Sequence, residues 1–287
     1  MAGTPRTYPH GVPCWIELET PEMDGSLAFY EALFGWALTS KLPPEAPGRY
    51  VVASLDGTDA TALAAVAMPG HGDRQTDVGA VWNTYLAVDD VDAAAARVRE
   101  LGGTVVAPPQ TVGPPAAAAG RMARILDPQG APSSLWQAGS RLGAQQTNGP
   151  GMWNFSDLHT PDVEAALRFY GPLLGWEVDP ELAAGMARVP GYGDHLARTS
   201  DPGIYDRQAG FAPLGFADAV AGVIPTDGPA RWSVVFSVED RDASAEAALA
   251  AGGTVVSTHE NEWARGAVVR DPQGAEFQVS QFAPQGV

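Results

Sequence analysis

Trp15-Ile16-Glu17-Leu18-Glu19-Thr20-Pro21-Glu22 runs on to Phe29-Tyr30 and then to Leu33-Phe34-Gly35-Trp36. The same order of residue types returns 140 residues later as Phe155-Ser156-Asp157-Leu158-His159-Thr160-Pro161-Asp162, Phe169-Tyr170 and Leu173-Leu174-Gly175-Trp176. Alternation over 13–20 predicts a strand, with Trp15, Glu17 and Glu19 on one face and Ile16 and Leu18 on the other. Thr20-Pro21 predicts a helix start, with Thr20 as N-cap, Pro21 in the first helical position and the acids Glu22 and Asp24 in the first turn. Met23, Leu27, Tyr30 and Phe34 fall at helical spacing, and Gly35 supplies a left-handed stop. Val163, Leu167, Tyr170, Leu174 and Gly175 fill the same slots in the second copy. Two segments that share cap, stripe and stop are duplicated units.

Outward from each helix come short strand-like runs: Trp36–Leu38, Tyr50–Leu55 and Ala62–Met68, then Trp176–Val178, Met186–Val189 and Ala219–Ile224. A glycine-rich loop at 69–79 follows the first set. Its counterpart, 190–218, is longer and carries Tyr192, His195, Tyr205, Phe211 and Phe216, which suits a lid or an irregular plug. A second unit then repeats: 82–90 matches 232–240, each a strand followed by an Asp-capped, Ala-rich helix. Gly-Gly-Thr-Val-Val ends both helices, at 102–106 and 252–256, and Asp-Pro-Gln-Gly-Ala at 127–131 and 271–275 reads as a turn before a last strand, 132–137 or 276–282. Residues 1–11 read as a loose arm. Two domains are expected, 1–138 and 152–287, with 139–151 as a polar, glycine-rich linker. Each holds two strand–helix–three-strand units, an α+β pattern with helices on one face of a curved sheet and a concave face free for a small ligand.

Composition bounds the partners. The chain of 287 residues has a net charge of −17, which disfavours nucleic acid and anionic membrane surfaces. No stretch of about 18 apolar residues is present, so no membrane span is expected. Cys14 is the single cysteine, which excludes an intrachain disulfide and a thiolate cluster. No basic segment followed by an apolar run marks the N-terminus, and a cytoplasmic location is expected.

The strand with its Phe-Tyr…Gly-Trp helix, the Gly-Gly-Thr-Val segment and Asp-Pro-Gln-Gly, each twice and in register, resemble the vicinal oxygen chelate superfamily. That group includes glyoxalase I, bleomycin- and fosfomycin-resistance proteins and extradiol dioxygenases. The resemblance covers nearly the whole chain. It is closest to tandem actinobacterial members labelled glyoxalase-like, and it implies two glyoxalase-like domains, each a cup built from paired βαβββ units. It also implies places for metal ligands: a His on the first strand, a His on the fifth and a Glu on the last. Here those places hold Trp15, Asn83 and Ser134 in the first domain and Phe155, Ser233 and Gln278 in the second. Aromatic rings and neutral amides or hydroxyls do not make such a site, so no metal and no cofactor are expected. One-domain relatives dimerise to complete their sheets; a tandem chain can do so internally, as a monomer or as a homodimer.

Period-two alternation puts Trp15, Glu17, Glu19, Asn83, Tyr85, Ser134 and Trp136 inside the first cup, and Phe155, Asp157, His159, Ser233, Val235, Gln278 and Ser280 inside the second. The aromatic residues suit a planar ligand, with Asn83, Ser134, Ser233 and Gln278 able to hydrogen-bond it. Glu17 and Asp157 occupy equivalent positions; a half-buried carboxylate there can move protons, or can simply tie strands together. His159 reads as a rim histidine bonded to backbone. His259, Glu260 and Glu262 read as solvated, and Arg124 and Arg270 as salt-bridging. The expected function is metal-independent binding of a small planar or aromatic molecule, of the resistance, sequestration or carrier type. The alternatives are a metal-free isomerase, cyclase, lyase or hydratase using Glu17 or Asp157, and a scaffold whose cups are plugged by their own side chains.

Overall fold

The computed structural model describes residues 5–43, 45, 48–59, 62–67 and 79–284. Nearly all of the 69–79 loop, with His71, lies outside them. The first module is β1 (Pro13–Glu19), α1 (Met23–Phe34), β2 (Ala37–Ser40), β3 (Tyr50–Ser54) and β4 (Ala62–Ala67). The second is β5 (Val81–Ala87), α2 (Val91–Glu100), β6 (Thr104–Val112), β7 (Gly120–Leu126) and β8 (Pro132–Ala138). The third is β9 (Trp153–Thr160), α3 (Val163–Leu174), β10 (Ala187–Arg188), α4 (Tyr192–Arg198), α5 (Ile204–Gln208), β11 (Ala219–Ala221) and β12 (Val223–Pro225). The fourth is β13 (Arg231–Ser237), α6 (Arg241–Ala250), β14 (Thr254–Glu260), β15 (Ala264–Arg270) and β16 (Glu276–Phe282). The class is α+β, as the sequence implies.

The helix starts differ from expectation. Thr20 still belongs to the extended chain, its N–H bonded to Ala67 O at 3.0 Å, and α1 begins only at Met23 with the Glu22 side chain accepting from Gly25 N. Asp162 caps α3 in the same way, accepting from Ala165 N at 2.8 Å. Thr20 and Thr160 instead brace the turn ahead of the cap, the first accepting from Glu22 N and the second donating to Asp162 O. The buried stripe is centred on Phe29-Tyr30 and Phe169-Tyr170, while Leu27 and Phe34 are only half-buried. Gly35 and Gly175 do stop their helices in the left-handed region, at φ 68° and 71°. Asp90 and Asp240 cap α2 and α6, each accepting two backbone N–H groups.

The chain divides into two compact units, neither of which is a single repeat. One comprises residues 1–15, 84–143 and 155–232, and so takes most of the second and third modules. In it β5, β8, β7 and β6 are hydrogen-bonded in that order; β5 and β8 are parallel, with Tyr85 opposite Ser134. There β9 pairs in parallel with β12, and α2 packs on α3. The other comprises 16–83, 144–154 and 233–287, most of the first and fourth modules. Its strands run β2-β3-β4-β1 and β13-β16-β15-β14, and α1 packs on α6.

One polar clasp, used once in each unit, explains this grouping. Asp127 Oδ1 accepts from Gln129 N and Ala131 N to close its turn, and Oδ2 accepts from Tyr170 OH at 3.2 Å. Asp271 does the same with Gln273 N, Ala275 N and Tyr30 OH, the last at 3.0 Å. Trp82 Nε1 donates to the Tyr30 hydroxyl at 2.9 Å. Burial and the neighbouring aspartate push both tyrosines well above the usual phenol range, and burial raises Asp271. Aromatic rings fill in around the clasp: Tyr30 stacks on Trp36 at 5.6 Å, and Tyr170 on Trp176 at 5.1 Å. The Phe-Tyr helix of one repeat thus closes on the Asp-Pro-Gln-Gly turn of the other.

Three further expectations are corrected. Described residues of the N-terminal arm are tied down: Arg6 Nη2 donates to Tyr192 OH, Thr7 bonds His195, and His10 Nε2 sits 2.9 Å from Leu173 O. The segment 190–218 is α4, α5 and a turn of 3-10 helix at Phe216–Asp218, with Tyr192, Leu196, Ile204 and Ala217 buried in the core. Its apolar residues anchor it to the fold, so it is an ordered insertion. The predicted strand at Trp176–Val178 shrinks to a single bridge between Glu177 and Arg188.

Candidate functional site

The two sets of inward residues differ in how far they are open. Every member of the first is buried. Trp15 and Ser134 are 3% and 2% exposed, Tyr85 and Trp136 are little more, and Glu17, Glu19 and Asn83 are likewise buried. The closure is built from the chain itself. The Arg141 guanidinium, from the expected linker, lies 5.3 Å from the centre of the Trp15 ring. Trp136 Nε1 donates to Arg141 O at 3.1 Å, and the Tyr85 and Trp136 rings meet edge-on at 6.1 Å. Gly120 lets the Trp136 ring settle on the backbone, since a Cβ there would come within 2.5 Å of it. Elsewhere in the set, Asn83 Nδ2 donates to Glu17 O at 3.4 Å. Cys14 is buried, its thiol raised by desolvation, and bonded to Tyr85 O.

The β9 members of the second set are half-open. Phe155, Asp157 and His159 on β9 alternate with buried Ser156, Leu158 and Thr160 and are themselves half-buried. Asp157 is fixed through one oxygen: Gly222 N donates to Oδ1 at 2.9 Å, while Gly222 O accepts from Leu158 N. A Cβ at 222 would sit 2.6 Å from that same oxygen, so the approach needs glycine. Among the described residues Oδ2 has no hydrogen-bond partner. Desolvation raises the Asp157 carboxyl to about 6, against a partial opposing effect from the Gly222 amide. His159, opposite Ile224 in the β9–β12 register, has a buried Nε2 with no hydrogen-bond partner. Desolvation first, and the positive charge of Arg231 second, lower it to about 4, so it is neutral at pH 7. The expected backbone bond of a rim histidine is therefore not made by this atom. Phe216, from the insertion, meets Phe155 edge-on at 6.4 Å.

The remaining expected residues fall into other roles. On β13 and β16, Gln278 Nε2 donates to Ser233 Oγ at 3.0 Å, so two positions where the resemblance implies metal ligands satisfy each other. Glu260 is held by Arg265 and Arg241, and Arg270 by Glu276, as salt bridges. Among the described residues no group of three or more His, Cys, Asp or Glu is arranged to hold a metal ion. Trp15, Asn83, Ser134, Phe155, Ser233 and Gln278 do not fit a divalent ion on donor chemistry: two lack any ligating atom, and four are neutral amides or hydroxyls. No helix among the described residues is long and apolar enough to cross a membrane. Gly222 and Phe216 were not legible as partners of this edge, although a glycine inside the strand-like run 219–224 is itself a sign of close approach.

Strand–helix–strand modules in four copies, cup-facing strands and the clasped Asp-Pro-Gln-Gly turns define the class. Residues 14–132 match the Glyoxalase/Bleomycin resistance protein/Dioxygenase superfamily model, and 155–280 the Glyoxalase-like domain model. The chain is 37% identical over 284 residues to "Putative glyoxylase CFP32" of Mycobacterium tuberculosis, covering 97% of each. It is 35% identical over 284 residues to "Anthracycline biosynthesis protein DnrV" of Streptomyces peucetius, covering 95% of this chain and 94% of that one. The protein belongs to the glyoxalase/bleomycin resistance/dioxygenase superfamily, with two glyoxalase-like domains. Solved structures share the fold at low identity. The Mn(II)-bound glyoxalase from Novosphingobium aromaticivorans has a TM-score of 0.59 at 17% identity, covering 95% of this chain and 82% of that one. The 2,3-dioxygenase LapB from Pseudomonas sp. KL28 has 0.58 at 12%, covering 95% and 93%.

Proposed function

We propose that the protein binds a planar aromatic small molecule, without a metal ion, on the β9 face formed by Phe155, Asp157 and His159. The observation that carries this reading is the half-open state of that face. One Asp157 oxygen and the His159 Nε2 have no hydrogen-bond partner among the described residues, and Phe155 is half-buried, whereas Trp15, at the position on β1 equivalent to Phe155, is buried with the Arg141 guanidinium against its ring. Phe155 and Phe216 supply ring edges and faces for stacking; Asp157 and His159 supply an acceptor and a neutral polar group that fix orientation. The chain's net charge of −17 favours a neutral or cationic ligand over an anionic one. The similarity to a relative named for anthracycline biosynthesis supports a polycyclic aromatic ligand. Binding of this kind serves sequestration or carriage. A second reading, metal-free proton transfer on such a ligand, is favoured by the raised Asp157 carboxyl.

Titration with 1,4-dihydroxyanthraquinone tests the binding. Saturable quenching of tryptophan fluorescence and a rise in melting temperature are expected, both unchanged by EDTA, because a ligand that binds only the native state stabilises it by mass action. Phe155→Ala should weaken the affinity about tenfold, the equivalent of about 1.4 kcal/mol. Absence of saturable binding, or binding that requires an added divalent ion, would refute the reading.

A further inference from the structure

We propose that Asp157 and His159 form a metal-free proton-transfer pair that tautomerises an enolisable aromatic ketone; the inference rests on the β9 face accepting a planar aromatic ligand. The two residues are two apart on one strand and so project to the same side, with Cα atoms roughly 6.6–6.8 Å apart at 3.3–3.4 Å per residue. One Asp157 oxygen is anchored on the Gly222 amide at 2.9 Å, which fixes the carboxylate and leaves Oδ2 unbonded. The absence of a Cβ at 222 is what allows this seat. His159 Nε2, buried and unpartnered, is a polar atom for which the fold provides no bond. A buried polar atom without a partner is destabilising, and a ligand oxygen bonded there removes that penalty.

The step balances without a co-reactant. Asp157 Oδ2 takes a proton from the carbon α or vinylogous to a carbonyl. The C–H pair becomes the new C=C bond, and the carbonyl π pair moves onto oxygen. Neutral His159, in the tautomer protonated at Nε2, donates to that oxygen. The proton then returns from Oδ2 to carbon or passes to oxygen through solvent, giving the other tautomer. The carboxyl at about 6 is ionised at pH 7 yet more basic than an ordinary aspartate, and the imidazole at about 4 stays neutral, so the roles do not compete. Among the described residues, His159 shares the Asp157 face, Gly222 and the β12 residues Val223, Ile224 and Pro225 carry no charged side chain, and Arg231 at the start of β13 acts on His159.

The probe is anthrone, a tricyclic ketone with an enolisable methylene, held under nitrogen in deuterated buffer. Loss of the methylene proton signal by NMR reports exchange, and quenching by anthrone and by non-enolisable anthraquinone reports binding. Wild-type protein should accelerate exchange by at least 100-fold over buffer. Asp157→Asn should lose at least 100-fold of this at saturating anthrone, with quenching by anthraquinone still saturable. His159→Gln, which keeps an amide donor, should lose less than His159→Ala. The wild-type pH profile needs no variant: the acceleration should rise through about pH 6 as Asp157 ionises. Binding without acceleration, an unaffected Asp157→Asn, or a flat pH profile would overturn the proton-transfer pair and leave the binding reading standing. Failure of both anthrone and anthraquinone to bind would overturn both.

Discussion

Glu17 and Asp157 hold equivalent places on duplicated strands, yet they meet different surroundings. Sequence alone gives each a cup-facing carboxylate. What separates them is their surroundings: Gly222 stands against Asp157, and the insertion before it carries Phe216, whereas Glu17 is buried. The titration of Asp157 has a consequence for stability whose sign is fixed. Its native pKa, about 6, is raised from 3.8, so between those values the folded state holds the proton that the unfolded state has lost. Folding stability from this group therefore falls as pH rises from about 4 to about 6, and is level above. Asp157→Asn keeps the acceptor for Gly222 N but has no charge to desolvate. It should gain on the wild type by about 1–2 kcal/mol between pH 4 and pH 7, less than the full ~3 kcal/mol of a two-unit shift because water reaches part of the carboxylate. Urea denaturation of both proteins at the two pH values measures this; a difference that does not change with pH would mean that Asp157 titrates as an ordinary aspartate.

The helices and turns were legible because local rules dictate them: the Asp caps of α2 and α6, the Gly stops of α1 and α3, and the Asp-Pro-Gln-Gly turns all lie where the residues imply. The start of α1 was misplaced by two residues because Thr20 is drawn into the strand by its bond to Ala67 O, a tertiary contact that no local pattern announces. The insertion was opaque for a similar reason: Tyr192, Leu196 and Ile204 have no long period, and only burial shows them to be core. Of the candidate site, the alternation of β9 was readable, but its openness was not, since that depends on what stands across from it. Two glycines show how differently one residue type is used. Gly35 is at φ 68°, and a Cβ added there would meet nothing within 4 Å, so Gly35→Ala meets only backbone strain, about 1 kcal/mol. Gly11 is at φ 86°, donates to Ala87 O and accepts from Trp176 Nε1, and a Cβ there would overlap the carbonyl of Leu174. Gly11→Ala should cost at least about 3 kcal/mol, as backbone strain adds to a clash that displaces the Trp176 bond. Thermal denaturation of the two variants should order them clearly; equal losses would mean that the segment at Gly11 gives way without cost.

The clasps link repeat to repeat, which determines what each half can do alone. Residues 1–138 carry Tyr30 without Asp271 and Asp127 without Tyr170; residues 152–287 carry the complementary halves. In the intact chain Phe29, Tyr30, Phe169 and Tyr170 are fully or almost fully buried. Aromatic side chains of this size bury about 150–250 Å² each, worth roughly 4–6 kcal/mol apiece at about 25 cal/mol/Å². Losing the cover over two of them is comparable to the whole stability of a domain, about 5–15 kcal/mol. Neither half is therefore expected to be a stable folded monomer, even though each is one complete sequence repeat. Expressed separately, 1–138 and 152–287 should be unfolded or self-associated. Mixed, they should form a 1:1 complex with the circular dichroism and cooperative melting of the intact chain. Tyr30→Phe leaves the Trp82 N–H and Asp271 Oδ2 without their shared partner, and should weaken that complex about tenfold or more, at about 1–3 kcal/mol for a buried polar group left unmatched. Sedimentation of the fragments decides the matter. A monomeric, cooperatively melting 1–138 would show that one repeat closes its own core and that the clasp is an accessory to it, while a complex indifferent to Tyr30→Phe would place the stabilisation in ring packing alone.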